Sequence, residues 1–310
     1  PLHANQHAYQ IGKSTDTALH HLTQKIESAL NTGNVALGCF MDVEGAFDNT
    51  DFDTITKAAR ARQIEEVALN WIVNMLSGRS VQATVSGSSI KLGVTRGCPQ
   101  GGILSPILWC MVIDSLLVKL NHTGLFTQGY SDDVATVITG NFVSTVSDLM
   151  RTALRTVEQW CKENKLTVNP AKTKVILFSK RRKTESHEVG DFTIFNKKVS
   201  MMTTVKYLGV ILDSKLMWVP HLEDKLNKAI SIFWLCRNAF GRNWGLSPKA
   251  IWWIYTAIVR PILCHGCLVW WPRVGVVWSK KRLDKLQRLA CLCMTGVKNT
   301  VATLALETLL

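Results

Sequence analysis

The chain has 310 residues, of which 47% are hydrophobic and 19% are charged, a composition that allows a sizeable core and excludes general disorder. Its net charge of +13 favours a polyanionic partner, either nucleic acid or an anionic membrane surface. The nine cysteines are odd in number and lie mostly in apolar runs, which is typical of a reduced intracellular protein.

The first hundred residues alternate predicted helices and strands. Apolar spacing predicts a helix over residues 14–30 that begins at Ser14 or Thr15, and then a buried strand and turn over 35–47. Helical spacing over 53–77 predicts two helices that are broken near Gln63. Two β-rich runs around a Ser-Gly-Ser-Ser turn then predict a hairpin.

A glycine-rich loop, "TRGCPQGG", comes next in the chain. We expect Ser105 to cap the following helix, with Pro106 at its first position. The stretch "TQGYSDDVATVITG" predicts a hairpin whose tip carries Asp132 and Asp133. Another helix over 146–161 and a turn and strand in "NPAKTKVILFS" complete this part, and "VKYLGVIL" predicts a strand around Gly209.

After Pro220 the chain changes to helical segments near 221–241, 248–268 and 279–295. Seven of the eleven tryptophans lie between 234 and 278. We expect most of them to form the core of a small helical domain, although stacking on nucleic-acid bases is the alternative. These observations predict one domain over residues 1–205 and a second over 206–310.

Two other features allow competing interpretations. "CHGC" at 264–267 with "CLC" at 291–293 could form a zinc site, but helix-core cysteines are the simpler explanation. The longest apolar stretch, 250–271, contains Arg260 near its middle, so we expect buried or amphipathic helices and no membrane partner. Because the first residue is Pro1 and the last lie in an apolar pattern, we expect the chain to be a fragment.

Acidic residues at two distant places indicate a shared site. Asp42 ends a buried strand, 90 residues before the pair Asp132 and Asp133. Such acids can converge only if their strands are neighbours in one sheet. Because hard divalent cations prefer carboxylate oxygens, two ions held there could bind the attacking and leaving oxygens of a phosphoryl transfer. An ordinary polar hairpin tip is the alternative for the acid pair alone.

The motifs occur in a fixed order: Asp-x₄-Phe-Asp, Gly-x-Pro-Gln-Gly-Gly-x-Leu-Ser-Pro, Tyr-x-Asp-Asp, Asn-Pro-x-Lys-Thr and Tyr-Leu-Gly. In this order they resemble the reverse transcriptases of non-LTR retrotransposons of the jockey, R1 and I-element kind, from about Asn5 to the end of the chain. The resemblance implies an α+β fold. A right-hand polymerase palm, an antiparallel sheet backed by helices, would carry partial fingers and be followed by a helical thumb.

The resemblance also implies roles for individual residues. The implied catalytic and metal-binding acids are Asp42, Asp132 and Asp133, and the implied proton donor to the leaving pyrophosphate is Lys172. The implied nucleotide-binding residues are Val43, Phe47, Gln100 and Gly101, with Phe47 as the steric gate beneath the deoxyribose. The implied primer grip is Tyr207, Leu208 and Gly209. For Lys172 a surface turn lysine is the alternative, and Lys174 is the second candidate for the same role.

The implied activity is RNA-directed DNA polymerisation with two Mg²⁺ ions, for which Mn²⁺ could substitute. The implied partners are an RNA template, a DNA primer and deoxynucleotides, and the implied location is the nucleus and cytoplasm. Ser131 stands where this family usually has Ala, a small change. Only the last part of the fingers is matched, so the resemblance does not imply that this fragment is active alone. A viral RNA-dependent RNA polymerase is disfavoured by Phe47, and a decayed or domesticated RNA-binding remnant is the alternative function.

Overall fold

The computed structural model describes residues 1–181, 189–238, 246–297 and 300–308. They form two compact units, Pro1–Val205 and Lys206–Leu310. Their identification with palm and thumb stays a prediction. The end of the helix predicted over 221–241 lies outside the described residues beyond Asn238.

The first unit combines helices with one large sheet and small hairpins. Its helices are α1 (Thr15–Asn31), α2 (Ala46–Asn49), α3 (Phe52–Ala61), α4 (Glu66–Ser77), α5 (Ser105–His122) and α6 (Val143–Asn164). Its strands are β1 (Val35–Glu44), β2 (Ser80–Val85), β3 (Ser88–Gly93), β4 (Phe126–Tyr130), β5 (Asp133–Gly140), β6 (Thr167–Val168), β7 (Lys174–Phe178), β8 (Thr193–Ile194), β9 (Lys197–Lys198) and β10 (Ser200–Met202).

The large sheet has the order β10-β7-β1-β5-β4, and the short strand β6 pairs with the end of β1. Its pairs are antiparallel except for β10 with β7. The predicted α+β fold class, with a mainly antiparallel sheet backed by helices, is therefore confirmed. The acid-bearing strands β1 and β5 are direct neighbours, as the convergence of the acids requires.

The core lies between the sheet and helices α5 and α6. Every second residue of β1, from Val35 to Val43, is buried there together with residues of both helices. The two-residue repeat of a strand puts Ala36, Gly38 and Phe40 on the opposite side. Helix α1 also packs against β1, β4 and β5, through its own buried residues.

Local sequence signals determine the helix ends in this unit. Ser14 caps α1 and exchanges hydrogen bonds with Thr17 in a capping box, which confirms the predicted start. The break between α3 and α4 is also confirmed, since Gln63 has a φ of 57° and cannot continue a helix. The predicted cap of α5 is wrong. Leu104 is its N-cap, because the Ser105 hydroxyl donates instead to the carbonyl of Pro99 at 2.6 Å.

The second unit is mainly helical. Its helices are α7 (Val219–Asn238), α8 (Pro248–Ile254), α9 (Arg260–Cys264), α10 (Cys267–Trp270), α11 (Val277–Thr295) and α12 (Thr303–Thr308), with a π-helical segment over Tyr255–Val259. Strands β11 (Thr204–Tyr207) and β12 (Val210–Asp213) form a hairpin. The predicted continuous strand around Gly209 is wrong, because Leu208 and Gly209 both have positive φ and make a tight turn.

Two further predictions for this unit are corrected. The helix predicted over 248–268 ends at Cys264 and includes the π-helical segment just before Pro261, whose ring nitrogen has no hydrogen to donate. The tryptophans in the described part of 234–278 are not mostly core: Trp252 and Trp253 are 45% and 63% exposed. Trp234 and Trp271 are also exposed. Trp244 lies outside the described residues.

No single described helix is long and apolar enough to cross a membrane. Pro248–Cys264 and Cys267–Gly275, bent by 56° from each other, pass that test only as a pair, by length and composition.

A buried carboxylate joins three distant segments of the first unit. Asp114 of α5 is 1% exposed, accepts from the backbone N–H of His3 at 2.5 Å and pairs with the guanidinium of Arg62. Arg62 also donates to the carbonyl of Pro1 at 2.6 Å. This network connects the start of the chain, the end of α3 and the middle of α5.

We predict that Asp114→Ala lowers the free energy of unfolding by about 2–4 kcal/mol, because it leaves the Arg62 cation without its buried partner. Urea denaturation measures the change. Glu163→Gln is the matched control. It removes an ion pair between Glu163 and Lys119, and Lys119 lies on α5 like Asp114. The side chains of Lys119 and Glu163 are 46% and 45% exposed. The control should cost less than about 1 kcal/mol. Equal costs for the two variants would contradict the structural role of Asp114.

Candidate active site

The pairing register of β1 with β5 brings the two acidic motifs together. Asp42 is the direct partner of Asp133 in this register, and Tyr130 pairs with Asp133 on the other side. Directly opposed residues of antiparallel strands have their Cα atoms about 4.5–5.5 Å apart and their side chains on one face. The carboxylates of Asp42 and Asp133 therefore share one face at the end of the sheet.

Ser131 and Asp132 form the two-residue turn of the β4–β5 hairpin. Ser131 has a φ of 57°, which such a tight turn requires at its first position. The carbonyl of Asp132 accepts from the backbone N–H of Val43 at 3.2 Å, and the indole of Trp109 donates to the carbonyl of Ser131 at 2.9 Å. The turn is thus attached both to β1 and to helix α5.

Burial and the neighbouring acids change the protonation of Asp133. Burial raises the pKa of Asp133 to about 6, and the charges of Asp132 and Asp42 contribute to this rise against the opposing effect of Lys172. A carboxylate in this position favours either a proton or a cation beside it. The site is therefore electrostatically prepared for a positive ligand.

Lys172 supplies one positive charge at this position. Its Nζ atom lies 2.9 Å from Oδ2 of Asp42, and this hydrogen bond raises the pKa of Lys172. The turn that carries Lys172 is anchored on the same residue, because the N–H of Asn169 donates to the carbonyl of Asp42 at 3.1 Å. Lys174, the second candidate, donates instead to the carbonyl of Ala171 at 2.9 Å.

Phe47 follows the acid on the short helix α2. The chain turns at Gly45, whose φ of 60° places it in the left-handed region. The half-buried ring of Phe47 packs on the core with its centroid 6.2 Å from that of Trp109. Trp109 thus contacts both the Asp-Asp turn and the predicted steric gate.

The glycine-rich loop is bound to this same short helix. The N–H of Gly97 donates to the carbonyl of Thr50 at 2.7 Å, and the N–H of Cys98 donates to that of Phe47 at 2.6 Å. A Cβ on Gly97 would lie 2.6 Å from the carbonyl oxygen of Asp48, so only glycine allows this approach. The side chain of Gln100 donates to both carboxylate oxygens of Asp48 at 3.0 Å.

The predicted site residues thus fall into two groups. The first unit holds the acids, Lys172, Val43, Phe47 and the loop with Gln100 and Gly101 on connected elements. Tyr207, Leu208 and Gly209 belong to the second unit, where Tyr207 is buried and the other two form the β11–β12 turn. The roles of all these residues stay predictions.

The sequence alone did not indicate Trp109, Asn169 or Asp48 as members of this site. Asn169 lies in the Asn-Pro motif and Asp48 in the Phe-Asp motif, so their motif positions were a usable signal. Trp109 has no such signal, because only the fold shows that its indole reaches Ser131 across 22 residues of chain.

The alternative zinc site has no support in the described part of the chain. There, no group of three or more His, Cys, Asp or Glu side chains is arranged to hold a metal ion. Asp42, Asp132 and Asp133 are also not arranged as a metal site by this criterion. In the structure the ammonium group of Lys172 lies beside Asp42.

Comparison with known proteins gives consistent results. Residues 1–212 match the family model described as reverse transcriptase (RNA-dependent DNA polymerase). The chain is 25% identical over 304 residues to a putative 115 kDa protein in the type-1 retrotransposable element R1DM of Drosophila melanogaster, covering 98% of this chain and 29% of that protein. It is 22% identical to the RNA-directed DNA polymerase from the mobile element jockey of the same species, covering 92% of this chain and 31% of that protein.

The chain therefore spans about three-tenths of the length of these curated relatives. Among solved structures, a telomerase from Candida tropicalis in complex with a fragment of telomeric RNA matches with a TM-score of 0.53 at 9% identity, covering 99% of this chain and 53% of that one. A telomerase from Candida albicans matches with a TM-score of 0.51 at 10% identity, covering 98% of this chain and 55% of the telomerase chain. At these identities the likeness concerns the fold.

We predict that Asp133→Asn raises the free energy of unfolding at pH 7.5 by about 1–2 kcal/mol, after allowance for solvent screening of the shifted pKa. The folded protein binds a proton at Asp133 more readily than the unfolded chain, with a pKa of about 6 against 3.8. The contribution of Asp133 to stability therefore falls as pH rises from about 4 to 6 and stays low above that range.

Urea denaturation from pH 4 to 8 without divalent metal measures this effect. The gain from Asp133→Asn should shrink toward zero near pH 4, where both side chains are neutral. Asp191→Asn, which removes a surface ion pair with Lys198, is the control and should show no such pH profile. A gain that is independent of pH would mean that charge repulsion is not its cause.

Proposed function

The chain belongs to the reverse transcriptase (RNA-dependent DNA polymerase) family, and from this premise we propose that it is the polymerase segment of a non-LTR retrotransposon protein that copies RNA into DNA. One observation carries the proposal: Asp42 and Asp133 face each other across two neighbouring strands, beside Asp132 and with the cation of Lys172 on Asp42. Nucleotidyl transfer depends mainly on positioning and charge neutralisation, which this arrangement can provide.

We propose that Asp42, Asp132 and Asp133 hold divalent magnesium, for which manganese could substitute. The chemistry of the donors fits, because carboxylate oxygens are the ligands that this hard cation prefers, and an ion at Asp42 would replace the ammonium of Lys172. The raised pKa of Asp133 and the lysine cation beside Asp42 both support a position that attracts positive charge. When bound, the metal would supply charge stabilisation for the attacking and leaving oxygens.

The residues around the acids fit the reacting nucleotide in the proposed function. Phe47 would lie beneath the sugar, while Val43, Gln100 and Gly101 would contact the rest of the nucleotide. The primer 3′ oxygen forms a bond to the α-phosphorus as the bond to pyrophosphate breaks, and the hydroxyl proton passes to water. Lys172 then gives a proton to the leaving pyrophosphate, as a positioned ammonium can.

The proposed partners are an RNA template, a DNA primer and deoxynucleotides. The net charge of +13 supports them, since cationic side chains bind nucleic-acid phosphates by releasing counterions. The Candida tropicalis telomerase of similar fold was solved with a telomeric RNA fragment, which is a property of that protein. Action in the nucleus and cytoplasm remains an expectation from the family resemblance.

A primer-extension assay tests the proposed function. The 310-residue chain, a DNA primer annealed to RNA, deoxynucleotides and Mg²⁺ should give extension whose rate falls by about 10²–10³-fold or more in Asp42→Asn, because charge-stabilising groups have effects of this size. Asp191→Asn is the surface control and should retain the rate. Binding of RNA without any extension would instead favour the RNA-binding remnant.

Phe47 is predicted to select the sugar. Phe47→Val should raise incorporation of ribonucleotides relative to deoxyribonucleotides by about tenfold or more, which corresponds to about 1.4 kcal/mol of lost discrimination. The reason is steric, because a smaller side chain leaves room for a 2′-hydroxyl. If Phe47 is only a core residue, the variant should lose stability through a cavity and leave the ratio unchanged.

Steady-state kinetics with each nucleotide class, together with thermal unfolding of the same variant, separates the two outcomes. Phe52→Val is the matched control, since Phe52 is a partly buried aromatic residue that packs on the same core. A folded, active Phe47→Val variant with an unchanged ratio would exclude the gate.

A further inference from the structure

The turn between β11 and β12 is conformationally demanding. Leu208 has a φ of 45° and Gly209 a φ of 81°, so both central residues are in the left-handed region, as in a type I′ hairpin turn. Glycine adopts this conformation without cost, but a branched residue such as leucine rarely does. Surrounding contacts must therefore contribute to holding this turn.

His265 makes such a contact. Its Nε2 atom lies 2.8 Å from the carbonyl oxygen of Leu208, and because a carbonyl can only accept, this nitrogen carries the hydrogen. The same ring covers Gly209 so closely that a Cβ there would lie 2.6 Å from Nε2. One imidazole thus hydrogen-bonds the first turn residue and packs on the second.

The chain around His265 places it for this contact. Helix α9 ends at Cys264, and Gly266 then takes a φ of 63° before α10 begins, so His265 projects from a break between two helices. The buried indole of Trp270 donates to the carbonyl of His265 at 3.0 Å and fixes its backbone. The "CHGC" stretch thereby has a structural role that requires no zinc.

A second histidine supports the same hairpin from α7. Nδ1 of the buried His221 accepts from the backbone N–H of Ile211 at 3.2 Å, so this nitrogen carries no hydrogen. Burial, with a further contribution from Lys225, lowers the pKa of His221 to about 4, although Asp224 opposes the shift. The hairpin is therefore held by one imidazole that donates and another that accepts.

We propose that His265 is a positioning residue that fixes the Leu208–Gly209 turn so that this turn can hold the 3′ end of a DNA primer. The inference rests on the proposed function, which assigns Tyr207, Leu208 and Gly209 to primer contact. The inference adds His265, 56 positions after Gly209, which lies outside every motif that carries the family resemblance. The contact needs no metal ion.

Binding of a primer–template with a recessed 3′ end, compared with a blunt duplex of equal length, tests the proposal. Fluorescence anisotropy without nucleotide gives both dissociation constants for the 310-residue chain. His265→Ala should weaken binding to the recessed end by about three- to tenfold, the equivalent of one hydrogen bond, and leave blunt-duplex binding unchanged. His265→Gln, whose amide can donate from a similar place, should restore most of the loss. Cys264→Ser, at the exposed neighbouring position, is the control.

A double-mutant cycle tests the contact itself without nucleic acid. Gly209→Ala should destabilise the unmodified chain more than it destabilises His265→Ala, because the clash between the added methyl group and the imidazole disappears with the ring. Thermal unfolding of the four proteins measures this difference. Equal costs of Gly209→Ala in both backgrounds would overturn the contact.

The outcomes are distinguishable from failure of the proposed function. An unmodified chain that binds neither duplex contradicts the proposed function, while the mutant cycle still decides the contact. An unmodified chain that prefers recessed ends, with the same preference in His265→Ala, overturns only the role of His265. Equal weakening of both duplexes in His265→Ala overturns it as well, since that result indicates a general loss of structure.

Discussion

Burial and mutual repulsion of carboxylates at the end of β1 and β5 determine the electrostatics of this end of the sheet. The register puts Asp42 opposite Asp133, and the raised pKa of Asp133 reflects burial first and the charges of Asp132 and Asp42 second. A sheet does not place like charges opposite each other without compensation. Here Lys172 compensates in part, and the large buried core of β1 with helices α5 and α6 supplies the stability that the acids reduce.

The surroundings of the acids are held by backbone groups more than by side chains. Val43 bonds to the Asp132 carbonyl, Asn169 to the Asp42 carbonyl, and Cys98 to the Phe47 carbonyl, so separate segments are joined by main-chain hydrogen bonds. Trp109 adds an indole bond to Ser131. Such bonds fix the backbone of Asp42 and Asp132 without using their carboxylate oxygens, of which Oδ2 of Asp42 accepts from Lys172.

Most of the architecture could be predicted because its signals are local in the sequence. The cap at Ser14 and the break at Gln63 follow from neighbouring residues, and the fixed order of the motifs is sufficient to indicate the family. The wrong predictions concern residues whose conformation or burial depends on contacts with other segments of the fold. The Ser105 hydroxyl bonds to Pro99 instead of capping its helix, the turn at Leu208 is held by His265, and the exposed tryptophans of α8 follow each other on one helix.

Binding of Mn²⁺ in place of Mg²⁺, followed by electron paramagnetic resonance, tests whether the acids hold a divalent cation, because it detects the ion without requiring an active polymerase. The unmodified chain should bind Mn²⁺, and Asp42→Asn and Asp133→Asn should each weaken that binding by about tenfold or more, which corresponds to about 1.4 kcal/mol. The surface variant Asp191→Asn should bind as the unmodified chain does. Equal Mn²⁺ binding by all four proteins would contradict the account.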